Sequence, residues 1–170
     1  MNITNFEFKA KASNFSEQEK KLRTLNPVFI GEDRQTDTYF NVAEGRLKLR
    51  EGNIENALIC YSRENATGAK QSNIILYKHA PDTALKDILT KVHGVKVTVI
   101  KNRRIYFVEN VKFHFDRVEG LGEFIEVEAI DDTGNIRIEK LREQCDSYIS
   151  FFGINPEDFI KESYSDMLLA

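Results

Sequence analysis

Strand-length stretches of this 170-residue chain alternate apolar with polar residues at a period of two, and the polar positions are sorted by the sign of their charge. In Asn5-Phe6-Glu7-Phe8-Lys9-Ala10-Lys11 the polar side chains share one face and Phe6, Phe8 and Ala10 the other, because successive strand residues point to opposite sides of a sheet. Arg46, Lys48 and Arg50 likewise oppose Leu47 and Leu49, Glu126 and Glu128 oppose Ile125 and Val127, and Asp116 shares its face with Lys112 and His114. A one-residue slip would turn every one of these side chains over, so the pattern demands sheets with one apolar, buried face and one charged face. For a single strand, water on the charged side is explanation enough. The sorting argues for more: solvated faces intersperse the two signs, whereas here several strands present only bases and the carboxylates gather at Glu7, Asp116, Glu126 and Glu128.

Strand-like runs fall near residues 3–11, 35–41, 45–51, 56–64, 70–78, 95–108, 111–118 and 123–130, and short gaps at 109–110 and 119–122 make the last three an antiparallel meander. Helix signals are fewer. A capping box at Ser16–Glu19 leads to Leu22 and Leu25, and an Asp82 cap leads through Leu85, Ile88, Leu89 and Val92 to Gly94. Leu141, Cys145, Tyr148, Ile149 and Phe152 share a third helical face, and Asn155-Pro156-Glu157-Asp158 reads as a fourth start. All four are expected to pack as surface helices, and the loop at 65–70 is the expected mobile segment. With 41% hydrophobic and 30% charged residues, residues 1–170 are expected to form one α+β domain. No stretch approaches a membrane span, the start lacks a signal-peptide pattern, and Cys60 and Cys145 cannot build a disulfide framework, so a cytoplasmic protein is expected.

If eight strands close into a barrel with helices packed outside, the charged faces line its lumen. Residues 1–112 carry 19 Lys and Arg against 13 Asp and Glu, and residues 113–170 carry 5 against 14, so the bases need a partner. A desolvated unpaired charge costs several kcal/mol, and a polyphosphate would neutralise them. Carboxylate oxygens without Cys or His ligands suit Mg2+ or Mn2+, ions that commonly bridge protein carboxylates to phosphates.

These residues resemble the CYTH family, or triphosphate tunnel metalloenzymes, nearly end to end. Asn5-Phe6-Glu7-Phe8-Lys9 is similar to the family's opening Glu-x-Glu-x-Lys strand, with Asn5 in place of the first Glu. Gln35–Phe40, Leu47–Arg50 and Leu58–Arg63 resemble its second, third and fourth strands, and Lys101-Asn102-Arg103 its phosphate-gripping Lys-x-Arg pair. Asp116-Arg117-Val118-Glu119-Gly120-Leu121-Gly122-Glu123-Phe124-Ile125-Glu126-Val127-Glu128 is close to its signature, with Phe115 just ahead where a smaller aliphatic residue is usual. The resemblance implies an eight-stranded antiparallel closed β-barrel, the triphosphate tunnel. Lys9, Lys11, Lys48, Arg50, Arg63, Lys101 and Arg103 would bind the substrate. Glu7, Asp116 and Glu126 would be catalytic, and with Glu128 would hold Mg2+ or Mn2+. Lys101 and Arg103 share a face with Val95, Val97 and Val99, so a bulge or a change of environment is expected along that strand.

Of the family's branches the chain most resembles the class IV adenylate cyclases, which implies conversion of ATP to cyclic AMP and pyrophosphate. The alternatives are a triphosphatase acting on inorganic triphosphate or thiamine triphosphate, and, because of Asn5, a non-catalytic nucleotide or polyphosphate binder. His114, beside Asp116, is a lesser candidate for a general base, since a histidine on a polar strand face is more often merely hydrated. Nucleic acid is not expected as a partner, because the bases alternate singly and no stacking motif accompanies them, and nothing supports membrane association. Tyr148, Phe151 and Phe152 read as core, with a homodimer contact as the alternative.

Overall fold

The computed structural model describes residues 2–62 and 68–170. Its strands are β1 (Asn2–Lys11), β2 (Val28–Phe40), β3 (Arg46–Glu51), β4 (Ala57–Ser62), β5 (Lys70–Lys78), β6 (Val95–Val108), β7 (Val111–Val118) and β8 (Gly122–Asp131). Helices α1 (Phe15–Arg23), α2 (Thr83–His93), α3 (Ile138–Phe152) and α4 (Tyr164–Leu169) complete the chain. The strands close into an antiparallel barrel in the order β1-β5-β4-β3-β2-β6-β7-β8, with β1 hydrogen-bonded to both β5 and β8. No described helix is long and apolar enough to cross a membrane.

The alternation sorts as the closed sheet requires. Phe8, Phe113, Phe115, Ile125 and Val127 are fully buried and pack with Leu22 of α1 and with Leu141, Cys145 and Phe152 of α3. Phe115 meets Phe15 edge-on at 5.6 Å, so the bulky residue ahead of the signature serves this outer core. Tyr148 packs edge-on against Phe113 at 4.7 Å, which puts the aromatic end of α3 on the core. The helix α2 contributes no buried residue.

A second cluster closes one end of the barrel, where Val99, Tyr39, Val118 and Phe124 pack with Tyr164 of α4. The face of β6 that carries Lys101 and Arg103 therefore becomes an apolar plug at Val99, the expected change of environment. The β2–β6 register also shifts between Tyr39 and Phe40, opposite Val97 and Val95.

Several boundaries differ from expectation for physical reasons. The strand β2 starts seven residues early, at Val28, because the 14-residue β6 offers a ladder back to Phe107. The cap of α1 is Asn14, whose side chain accepts from Glu17 N, so the helix begins two residues before Glu17 and draws Phe15 into the core. The start at Asn155 yields only a 3-10 turn, Pro156–Asp158, because Phe159 then bridges Ala10 of β1 and its ring packs 6.0 Å from Phe8. The last helix is instead α4, opened by a Ser163–Asp166 capping box. Lys70 of the 65–70 loop already belongs to β5, while Arg63 and residues 65–67 lie outside the described residues.

Phe113 holds the outer core to α3 through Tyr148 and Phe152. Phe113→Ala is expected to lower unfolding free energy by about 3–5 kcal/mol in a urea titration, the cost of removing a fully buried aromatic ring.

Candidate active site

The barrel encloses a cavity of about 800 Å³. Its walls include Glu7, Lys9, Lys48, Arg50, Lys101, Arg103, Glu126 and Glu128, all expected from the sequence, together with Glu55, Lys112 and His114. Cross-strand register assembles them: Glu7 lies opposite Glu128 and Lys9 opposite Glu126 on β1 and β8, while His114 lies opposite Glu126 on β7 and β8.

The bases are braced from behind. Asp37 on β2, opposite Arg50 on β3, accepts from Arg50 Nε at 2.9 Å, Arg50 Nη2 at 2.8 Å and Lys101 Nζ at 2.8 Å, with Lys48 Nζ at 3.3 Å. Burial pushes the Asp37 carboxyl up, but Arg50, Lys101 and Lys48 together hold it well below the usual carboxylate range. Burial and the neighbouring Arg103 push the Lys101 ammonium well below its ordinary value, with Asp37 opposing them. Asp116 grips Arg103 in a bidentate pair, at 2.7 Å to Nε and 2.6 Å to Nη2, and accepts the Tyr164 hydroxyl at 2.8 Å. It is fully buried and absent from the cavity wall. Asp116, expected to hold metal, is engaged here by Arg103 and Tyr164, and in this arrangement it fixes the Arg103 guanidinium.

Lys11, expected to bind the substrate, stands apart from these bases. It is exposed at the end of β1 and lines no part of the cavity. Arg63 lies outside the described residues. Two carboxylates were not anticipated. Asp37 sits inside the Gln35–Phe40 stretch, where parity with Gln35 and Tyr39 was the available signal. Glu55 follows β3 in a turn that Asp33 anchors by accepting from the backbone N–H groups of Ile54 and Glu55, each at 2.9 Å. Glu55 then accepts from Lys112, from Arg50 at 3.0 Å and from Gln35 at 3.1 Å. Nothing in a turn's local pattern marks such a residue.

Facing these bases, His114, Glu126 and Glu128 each offer a ligand atom within 4.8 Å of the others. Burial pushes Glu126 up, but Lys9, His114 and Arg103 outweigh it and hold this carboxyl well below its ordinary range. Glu128 moves the other way: burial, then the negative charges of Glu126 and Glu7, push it up to about 7. Burial and Arg103 depress the His114 imidazole to about 3, so it is neutral at physiological pH. Asn5 donates to Glu7 at 3.1 Å and leaves its own buried Oδ1 without a partner. A mutually repelling set of carboxylates beside a neutral imidazole fits a divalent cation, which would offset their charge and use the nitrogen lone pair.

Part of the remaining wall is aliphatic, beside polar and aromatic groups such as Tyr61, Ser72 and Asn110. Ile3 on β1 lies opposite Ile74 on β5, and Ile59 on β4 lies opposite Leu76, all facing the same cavity.

A closed eight-stranded barrel with braced bases and gathered carboxylates in its lumen defines a class of triphosphate tunnel proteins. A family profile described as "CYTH domain" matches residues 4–164, and the chain belongs to the CYTH family, whose members act on triphosphates and use divalent metal ions. A Methanocaldococcus jannaschii protein provisionally named an adenylate cyclase is 25% identical over 170 residues, covering 95% of this chain and 96% of its own length. Among solved structures, a conserved hypothetical protein from Pyrococcus furiosus superposes with a TM-score of 0.80 at 23% identity, covering 95% of this chain and 98% of its own. A Hippeastrum protein, provisionally an adenylyl cyclase and described as having a dominant triphosphatase activity, gives 0.61 at 15% identity over 99% of this chain and 94% of its own. These two structural likenesses are of fold.

A carboxyl whose folded pKa of about 7 exceeds its ordinary 4.5 binds more protons folded than unfolded. Glu128 therefore leaves stability untouched in acid and diminishes it as the pH rises from the ordinary value through 7. In the metal-free protein, Glu128→Gln is expected to raise unfolding free energy more at pH 8 than at pH 5. Urea titrations at both values check this, and an equal gain at the two would remove the electrostatic cause.

Proposed function

We propose that this protein is a class IV adenylate cyclase that converts ATP to cyclic AMP and pyrophosphate. The observation that carries the reading is the mixed lumen: one cavity joins braced Lys and Arg side chains and carboxylates to an aliphatic patch of Ile3, Ile59, Ile74 and Leu76. Inorganic triphosphate would match the first side and leave the second empty, whereas a nucleoside triphosphate has a group for each. The name of the Methanocaldococcus relative agrees with this reading.

Lys9, Lys48, Arg50, Lys101 and Arg103 bind the phosphate oxygens, and Arg63 joins them by the family resemblance. Arg50 and Arg103 approach with their guanidinium planes already fixed by Asp37 and Asp116, so little rotamer entropy is lost when phosphate arrives. Glu7, Glu126 and Glu128 hold the divalent cation, Mg2+ or Mn2+. When bound, such an ion supplies Lewis-acid polarisation of phosphate oxygens and lowers the pKa of a hydroxyl near it. The ribose 3'-hydroxyl gives up its proton to solvent as its oxygen attacks the α-phosphorus, the bond from that phosphorus to the bridging β-phosphate oxygen breaks, and the fixed cations stabilise the charge that develops on the departing pyrophosphate.

Purified protein incubated with Mg2+ or Mn2+ and, separately, ATP, inorganic triphosphate and thiamine triphosphate is expected to form cyclic AMP and pyrophosphate from ATP, read by phosphorus NMR and chromatography. Orthophosphate release would move the assignment to a triphosphatase, and binding without turnover on all three would make the protein a polyphosphate binder. Arg103→Ala is expected to weaken triphosphate binding roughly tenfold to a hundredfold, the range for a lost charge-assisted contact, and adenosine monophosphate binding far less. An equal loss for both ligands in calorimetry would contradict this placement of the phosphate chain.

A further inference from the structure

His114 is the one described residue of the lumen with both ring nitrogens buried and without a hydrogen-bond partner. The side chain is 1% exposed, so water does not serve it, and a buried imidazole with two idle nitrogens is costly unless something else uses them. Its place is not accidental. The pairing of β7 with β8 sets His114 directly opposite Glu126, and Nδ1 points at the carboxylates, 3.6 Å from Glu126 Oε2 and 3.7 Å from Glu128 Oε1. Both separations are too long for good hydrogen bonds. They are also shorter than about 4.2 Å, twice the ~2.1 Å at which imidazole and carboxylate bind a transition metal, so one ion can reach all three groups after small side-chain rotations.

We propose that His114 Nδ1 is a direct ligand of the divalent cation, together with Glu126 and Glu128, and that this nitrogen biases the site toward Mn2+ over Mg2+. The inference rests on the reading that the lumen carboxylates hold a cation. Mg2+ prefers oxygen donors and parts reluctantly with water, whereas imidazole nitrogen suits later divalent ions. The position is open because Asp116, which an all-oxygen set would use, is committed to Arg103 and Tyr164. The neutral imidazole also adds a donor without adding another negative charge to Glu7, Glu126 and Glu128.

The test uses the full chain with one equivalent of Mn2+ and no nucleotide, so that protein supplies every nitrogen near the metal. Pulsed electron paramagnetic resonance is expected to show nitrogen-14 modulation of the strength that a directly coordinated imidazole gives. Incorporation of nitrogen-15 histidine is expected to replace it with the nitrogen-15 pattern. His114→Asn is expected to abolish the modulation and weaken Mn2+ binding tenfold or more in calorimetry, with Mg2+ binding changed less than threefold. Mn2+ bound tightly by the parent protein without nitrogen modulation would overturn the ligand assignment while leaving the cation site standing. Failure of the parent to bind Mn2+ or Mg2+ at all would overturn both. The labelled parent protein answers the question even where the variant does not fold.

Discussion

Every other feature of the lumen depends on a buried ionic brace in which Asp37 holds Arg50, Lys101 and Lys48, and Asp116 holds Arg103. Without it the interior would contain desolvated cations facing one another, each costing several kcal/mol, and closure of the barrel would be opposed by its own contents. The Arg50–Asp37 pair is directly cross-strand and so is Arg103–Asp116, so the same backbone ladders that close the barrel also set the brace. Charge and topology are thus solved by one set of registers. The price is specificity of a narrow kind: a one-residue slip of β2 on β3, or of β6 on β7, would separate each base from its acid and turn one of the two to the apolar side.

The brace explains why two kinds of carboxylate coexist within one lumen. Asp37 and Asp116 are fully buried behind the bases and spend their oxygens on them. Glu7, Glu126 and Glu128 lie on the cavity wall, where burial, then Glu126 and Glu7, push the Glu128 carboxyl up to about 7. The first kind lowers the energy of the empty barrel. Glu128, the one of the second kind pushed up, raises it, and that repulsion is available to a cation that relieves it. Stability and function are therefore carried by acids that composition alone counts as equivalent.

That distinction marks the limit of what could be read along the chain. Period-two patterning located all eight strands, because burial on one face forces it, and the Lys101–Arg103 pair and the Glu126–Glu128 pair could be assigned to one face by parity alone. Whether an acid on that face looks into the cavity or binds a base behind the wall is settled by its partner across the ladder, which parity does not contain. The engagement of Asp116 by Arg103 and Tyr164 was not legible for this reason. Asp37 was overlooked although its neighbours Gln35 and Tyr39 carried the parity signal, and Glu55 was beyond reach because Asp33, twenty-two residues earlier, holds its turn. At the other end of the chain the local start at Asn155 lost to a tertiary contact, the docking of Phe159 on β1, while the Ser163 box opened a helix because α4 supplies Tyr164 to the plug and to Asp116.

Asn5 gains a physical meaning from the same reasoning. A Glu at this position would set a further carboxylate against Glu7, whose charge already helps to raise Glu128. The amide instead donates to Glu7 at 3.1 Å, so it fixes that carboxylate and adds no charge to the group. A neutral amide on β1 and a neutral imidazole on β7 act in the same direction: both leave the cation site with fewer negative charges than a set made wholly of carboxylates. Fewer charges mean weaker attraction for a strongly hydrated ion such as Mg2+, which parts reluctantly with water and prefers oxygen donors, and a smaller loss for an ion that accepts nitrogen. The departure at position 5 and the histidine at position 114 are then one adjustment of the lumen, made on two strands.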